Sequence, residues 1–344
     1  MHINTESVPD RLHPTLKLFL SADIVGSTAL KQPFDLDKPD DADSFRLWSS
    51  TIKNFYVEMT KAFLREQWDQ RKVDVAKALY LDDREAASAK HLLGPPPVIW
   101  KTIGDEIIFT KDLTDDLQIW IVLEAWLAAT TRVRNSLRTL GVGRGAVLDL
   151  KSTAWLAGFP VRNHTVYGPS TGEDSSRAGN VDYIGPAIDI GFRLCQLSTA
   201  QRFHLSVDVV YFLSSTTAFS SYDDGLRRYL LARPGRVEEQ FGTIQVYFGG
   251  TEYLRGVMGG THYPKFWLDV HHSDSLEKTE RDLVKPPQMH SDWAALKIYC
   301  EKFYEDRKKF LFKPFINGKS FSASTIHGNY QRFFDQVVGR MDFR

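Results

Sequence analysis

The sequence predicts an α+β fold, with helices on one face of a mainly antiparallel sheet. Three observations predict it. Residues Thr15–Asp23 alternate, placing Leu16, Leu18, Leu20 and Ala22 on one side and Lys17, Phe19, Ser21 and Asp23 on the other, the period-two signature of a strand. Residues Val98–Thr110 read as a tight hairpin, two β-rich runs around the turn pair Gly104-Asp105. Stretches of helical period separate such strands, so the order runs strand, helix, hairpin, helix, strand, helix, strand.

Taken in order, Phe34–Asp43 is a polar loop, and Ser44–Trp68 carries Leu47, Ile52, Phe55, Met59 and Phe63 at helical spacing. Arg71–Gly94 is charged and Ala-rich, a helical insertion or flap closed by Pro95-Pro96-Pro97. Leu117–Leu140 is a strongly apolar helix. Gly141–Leu150 reads as a strand entered through glycines; its G-x-G-x-A spelling is no dinucleotide fingerprint, which would follow a strand and open a helix. Lys151–Asn180 reads as loop-rich. Gly185–Leu197 reads as a helix with Pro186 at its first position, where the missing N–H costs nothing. A strand running into a short helix follows at Phe203–Leu213, then strands at Ile244–Gly250 and Tyr263–His272, an amphipathic helix at Ser291–Phe312 and a helical tail. The expected organisation is one large unit over residues 1–274, with an insertion at about 69–97, and a helical extension over 275–344.

Composition removes several function classes. The 344 residues carry 43 basic and 43 acidic side chains. Such a balance argues against a general nucleic-acid or membrane-surface binder. Cys195 and Cys300 are the only cysteines and have no metal-like spacing, which argues against a zinc site or a disulfide framework. No signal core and no run of roughly 20 apolar residues is present, so a cytoplasmic protein is expected.

Chemistry concentrates at two carboxylates. Asp23 ends a strand and Asp105 sits at a hairpin tip. If the two strands are neighbours, the carboxylates converge at one sheet edge and suit a hard cation such as Mg²⁺ or Mn²⁺. The backbone amides of Val25–Thr28 could cradle phosphate oxygens. Metal and phosphate cradle together point to phosphoryl transfer. The competing reading is two solvated turn aspartates.

"LFLSADIVGSTAL" (18–30) and "VIWKTIGDEIIF" (98–109) together resemble the two metal motifs of the class III nucleotidyl cyclases, roughly F-x-D-I-x-G-F/S-T and K-x-x-G-D. The resemblance spans about residues 15–270. It implies a ferredoxin-like cyclase sandwich and two divalent cations, Mg²⁺ or Mn²⁺, bound by Asp23, Asp105 and the Ile24 carbonyl. Gly26, Ser27 and Thr28 would hold the triphosphate. A third segment, Val181–Leu194, resembles the family's D-x-x-G-x-x-V-N-x-A-x-R run. It implies that Asp182 contacts the base together with Lys101, and that Arg193 stabilises transition-state charge on phosphate. Asp189 falls where the family has a ribose-binding Asn, and an ionised Asp accepts but cannot donate a hydrogen bond. A plain helix-surface ion pair between Asp189 and Arg193 is the alternative. No K-G-K-G-like phosphate hairpin is evident; Arg255 and Lys265 occupy that region.

Lys101 and Asp105 lie on one hairpin yet serve opposite ends of a nucleotide. In the family this implies a head-to-tail homodimer with two composite sites. The insertion, the Ala154–Asn163 segment, Asp189 and the C-terminal extension together are similar to the pyrimidine cyclases of bacterial Pycsar anti-phage systems. That resemblance implies UTP as substrate and cyclic UMP as a messenger acting on a downstream effector. Cytidylate or adenylate cyclase, an inactive nucleotide-binding sensor, and a diguanylate-type enzyme remain alternatives; the last wants G-G-[DE]-E-F, which "IGDEII" meets only in part.

Overall fold

The computed structural model describes residues 13–31, 41–78, 93–142, 147–167, 181–218, 244–270, 292–316 and 330–338. Its centre is a seven-stranded sheet in the order β2-β3-β1-β4-β7-β9-β8. The strands are β1 (Thr15–Val25), β2 (Val98–Ile103), β3 (Glu106–Leu113), β4 (Asp149–Phe159), β7 (Arg202–Leu205), β8 (Val246–Tyr253) and β9 (His262–Asp269). Among the described residues only the β4–β7 pairing is parallel; the others are antiparallel, so the mainly antiparallel α+β architecture is as the sequence predicts. A separate ribbon pairs β5 (His164–Tyr167) with β6 (Val181–Ile184).

The helices are α1 (Asp41–Thr60), α2 (Asp69–Ala78), α3 (Leu117–Val142), α4 (Pro186–Leu197), α5 (Val207–Ala218), α6 (Trp293–Asp306) and α7 (Tyr330–Val338). They cover both faces of the sheet rather than the single face expected. The alternation of β1 is the reason. Leu16, Leu18, Leu20 and Ala22 face the main core with residues of α1, α3, α5 and α6, including Phe55, Trp126, Phe212 and Phe303. Phe19 faces the other way, into a second core with Ile108, Trp155 and Ile188. Phe19 stacks on Trp155 with centroids 5.2 Å apart. Burying these rings requires a cover, which α4 and β6 supply through Phe192 and Tyr183.

Three boundaries differ from the sequence reading. First, α1 begins at Asp41, and a π-helical turn at Lys61–Trp68 joins it to α2, burying Phe63 and Trp68. Second, α3 continues to Val142, and the strand expected at Gly141–Leu150 starts at Asp149. Third, Lys151–Phe159, expected as loop, is most of a central strand. Nearly every residue of β4 is buried. A strand covered on both faces loses the apolar–polar alternation by which strands are read. Residues 32–40, 79–92, 168–180, 271–291 and 317–329, which hold much of the expected loops and insertion, lie outside the described residues.

One close approach fixes α4. A Cβ on Gly191 would lie 2.3 Å from the fully buried Trp155 ring, which is also stacked on Phe19. Alanine normally gains about 1 kcal/mol over glycine inside a helix. Here Gly191→Ala is expected instead to destabilise the protein by about 1–3 kcal/mol, the usual range for overpacking. Chemical denaturation checks it: Trp155→Leu in the same chain should relieve most of the cost. A stabilising Gly191→Ala would contradict this packing.

Candidate active site

The site forms where β1, β3 and β4 end together. β1 pairs with both neighbours, setting Asp23 directly opposite Glu106 on β3 and Lys151 on β4. Three side chains from three strands therefore meet in one row on the α4 face. Asp105 sits next to them in the β2–β3 turn. Its carbonyl accepts from the Ile24 amide at 3.3 Å, and its carboxylate accepts from the Ser27 hydroxyl. Tyr56, from α1, donates its hydroxyl to the Gly104 carbonyl. The hairpin tip is thus tied to β1, to the turn after β1 and to α1.

The chain must turn sharply after β1. Gly26 has φ +84°, and a Cβ there would lie 2.3 Å from the Val147 carbonyl oxygen. Only glycine meets both conditions. Ser27 is buried and opens a short 3-10 turn over Ser27–Lys31. Its hydroxyl is committed to Asp105, so it braces the carboxylate, while Gly26 and Thr28 are exposed beside it.

Electrostatics at the row are mixed. Burial raises the Asp23 carboxyl above the ordinary range and the negative Asp105 adds to this, while the hydrogen bond and charge of Lys151 pull it back. Lys151 Nζ lies 2.9 Å from Asp23 Oδ2. Burial, the largest single influence, would lower Lys151, but the hydrogen bond and charge of Asp23, with the nearby Glu106, together outweigh it and the ammonium is raised. Glu106 is raised by burial, against a hydrogen bond from Ser21. Among the described residues no group of three or more His, Cys, Asp or Glu is arranged to hold a metal ion. Two neighbouring carboxylates and a backbone carbonyl still fit Mg²⁺ or Mn²⁺. Such ions use one or two carboxylates plus substrate phosphates, rather than an all-protein cage. The donors are all hard oxygen, and mutual repulsion of the carboxylates is what a cation relieves.

A second polar group lies on the same face. Lys101 Nζ donates to Asp182 Oδ1 at 2.7 Å, joining β2 to β6 across 81 residues of chain. Burial would raise Asp182, but the bond from Lys101 and the Tyr183 amide hold it below the ordinary range. α4 begins just after β6. Asp189 is exposed in its first turn. Arg193 is half-buried, and its Nε donates to the Arg255 carbonyl at 3.1 Å. Lys265 pairs with Glu252 at 3.3 Å between β9 and β8. The structure therefore brings together Asp23, Ile24, Gly26, Ser27, Thr28 and Asp105, and separately Lys101 and Asp182. Sequence reasoning missed Lys151, Glu106 and Tyr56. Lys151 and Glu106 become site residues only through strand register, and Tyr56 belongs to no motif.

No family model matches this chain, and no curated protein matches it. Solved structures of similar shape include the adenylyl cyclase CyaB from P. aeruginosa, at 11% identity over 76% of this chain and 97% of that one, with TM-score 0.42. They also include the guanylyl cyclase Cya2, at 11% identity over 77% and 95%, TM-score 0.36. A third is the guanylate cyclase domain of RhGC from Catenaria anguillulae in complex with GTP, at 11% over 75% and 98%, TM-score 0.33.

If Lys151 stands in for cationic charge at Asp23, Lys151→Met leaves a largely buried carboxylate unpaired. The expected loss is about 1–3 kcal/mol of stability without metal. Mn²⁺ should then raise the melting temperature of the variant more than that of the parent. Equal Mn²⁺ shifts in the two proteins would remove Lys151 from the charge balance.

Proposed function

We propose that this chain is a nucleotidyl cyclase, converting a nucleoside triphosphate to its 3′,5′-cyclic monophosphate and pyrophosphate. One observation carries the reading: Asp23 and Asp105, from motifs about 80 residues apart, sit together at one sheet edge, held by the Ile24 and Ser27 bonds. Asp23, Asp105 and the Ile24 carbonyl would hold two divalent cations, Mg²⁺ or Mn²⁺, whose Lewis acidity stabilises the attacking 3′-oxygen and the leaving pyrophosphate. The backbone of Gly26, Ser27 and Thr28 borders the triphosphate. The 3′-oxygen bonds to the α-phosphorus, its proton leaves to solvent, and the bond from that phosphorus to the bridging oxygen breaks. Arg193 neutralises charge building on the α-phosphate, and Asp189 accepts a hydrogen bond from the ribose.

Lys101 and Asp182 read the base. An ammonium offers donors and a carboxylate offers acceptors, so the base must present both kinds of group side by side. Uracil, cytosine and adenine do so; guanine also sets an acceptor beside donors, but its edge leads with O6 and fits this pair worse. Among these we assign UTP, with cyclic UMP acting through a downstream effector in anti-phage defence; cytidylate and adenylate cyclase are the nearest alternatives. The working form is a cytoplasmic homodimer with composite sites, a catalytic unit over residues 1–274 buttressed by the 275–344 extension. Among the described residues no helix is long and apolar enough to cross a membrane. Support for self-association comes from apolar side chains left exposed on the edge strand and ribbon: Val98, Ile99, Ile103, Val166, Tyr167 and Ile184.

Asp23→Ala and Asp105→Ala should each abolish cyclisation while the protein stays folded, since both carboxylates lie at the sheet's end. Mixing Asp105→Ala with Arg193→Ala protein should restore activity, because a mixed dimer retains one intact site. Subunit exchange without recovered activity would show that the site is not shared between chains.

A further inference from the structure

β2 is not a regular strand. Ile99 opposes Phe109 and Lys101 opposes Ile108, so Trp100 is an extra residue with no partner on β3, a β-bulge. In a regular strand, consecutive residues point to opposite faces. The bulge instead sends Trp100 and Lys101 to the same face. Trp100 packs into the second core, edge-on to Phe19 at 5.2 Å, and beside Tyr183 at 5.2 Å and Phe192 at 6.1 Å. Its indole N–H donates to the Val181 carbonyl at 3.2 Å, one residue from the Asp182 that receives Lys101. The Lys101 ammonium lies over the Trp100 ring, 3.9 Å from its centroid, with Phe192 flanking at 5.8 Å.

A lysine head on four rotatable bonds is a poor reader of hydrogen-bond geometry unless something fixes it. Here two things do: Asp182 takes one of its three N–H donors, and an indole face held by its own hydrogen bond attracts the charge. The remaining donors then have fixed directions. We propose that Trp100 is a positioning residue that sets base specificity by holding the Lys101 ammonium in place, and that the bulge exists to put it there. The proposal rests on the reading of Lys101 and Asp182 as base contacts. It assigns Trp100 to discrimination between bases and not to the chemical step, because Trp100 belongs to the Lys101–Asp182 group and not to the Asp23–Asp105 group.

The test has two independent readouts. The first needs no substrate. An aromatic face this close shifts the ε-methylene protons of Lys101 upfield in a proton–carbon NMR spectrum, the signal being assigned by its loss in Lys101→Arg. The signal should return to the ordinary lysine position in Trp100→Leu and stay shifted in Trp100→Phe. The second is equilibrium binding of the four 3′-deoxynucleoside triphosphates with Mn²⁺, which cannot cyclise because they lack the 3′-hydroxyl. Trp100→Leu should reduce the preference for the favoured base about 2- to 30-fold, the range a cation–π contact of about 0.5–2 kcal/mol converts to. Trp100→Phe should keep most of that preference. Both variants should keep the parent's Mn²⁺ binding. An unshifted Lys101 signal in the parent would overturn the geometry. A shifted signal with unchanged base preference in Trp100→Leu would overturn the specificity role. Because neither readout involves turnover, a parent that makes no cyclic product would count against the cyclase reading alone.

Discussion

The register of β1 between β3 and β4 is the constraint on which the rest of the structure depends. It places Asp23 in line with Glu106 and Lys151, and it puts the β2–β3 turn, with Asp105, against the end of β1. A slip of one residue would turn Asp23 and Phe19 toward the main core and the leucines of β1 toward α4. The cost of burying an unpaired carboxylate in the main core, and of parting Phe19 from the aromatic rings it packs against, makes such a slip prohibitive. The same alternation that builds the core therefore aims the carboxylate, and fold and candidate site are specified by one pattern.

The second core extends this economy. Phe19, Trp155, Phe192 and Tyr183 form a connected aromatic layer between the sheet and α4. That layer orients α4, and with it Asp189 and Arg193, relative to the carboxylates. Asn163 strengthens the junction: its side chain accepts from the Ala187 amide at the start of α4 and donates to the Gly158 carbonyl at the end of β4. On the opposite face, α6 packs against α5, with Tyr304 donating to the half-buried Asp208. Burial lifts the Asp208 carboxyl to about 6. α6 thus joins the main core through Cys300, Phe303 and Tyr304.

Much of this was legible in the sequence, and the illegible parts share physical causes. β1 and the hairpin declared themselves because each has one face of distinct character and a turn pair at its end. The convergence of Asp23 and Asp105 was expected only if their strands are neighbours, a condition met by the pairing of β1 with β3. β4 was hidden because both its faces are buried, leaving small and apolar residues without a period. The cover on the second face was hidden because Phe19 is one aromatic on a mixed face, and only the β1–β4 register sets Trp155 against it. Lys151 acquires meaning only through register, which no local pattern encodes. The bulge at Trp100 has no marker at all: "VIWKTI" reads as an ordinary strand, and the extra residue shows only against β3.

The most direct test of the account is to incubate the purified protein with Mn²⁺ and each of the four nucleoside triphosphates and identify every product by mass spectrometry. The account predicts a 3′,5′-cyclic monophosphate and pyrophosphate in equal amounts, with cyclic UMP the most abundant. Nucleoside diphosphate and phosphate as products, or bound nucleotide recovered unchanged in all four reactions, would contradict it.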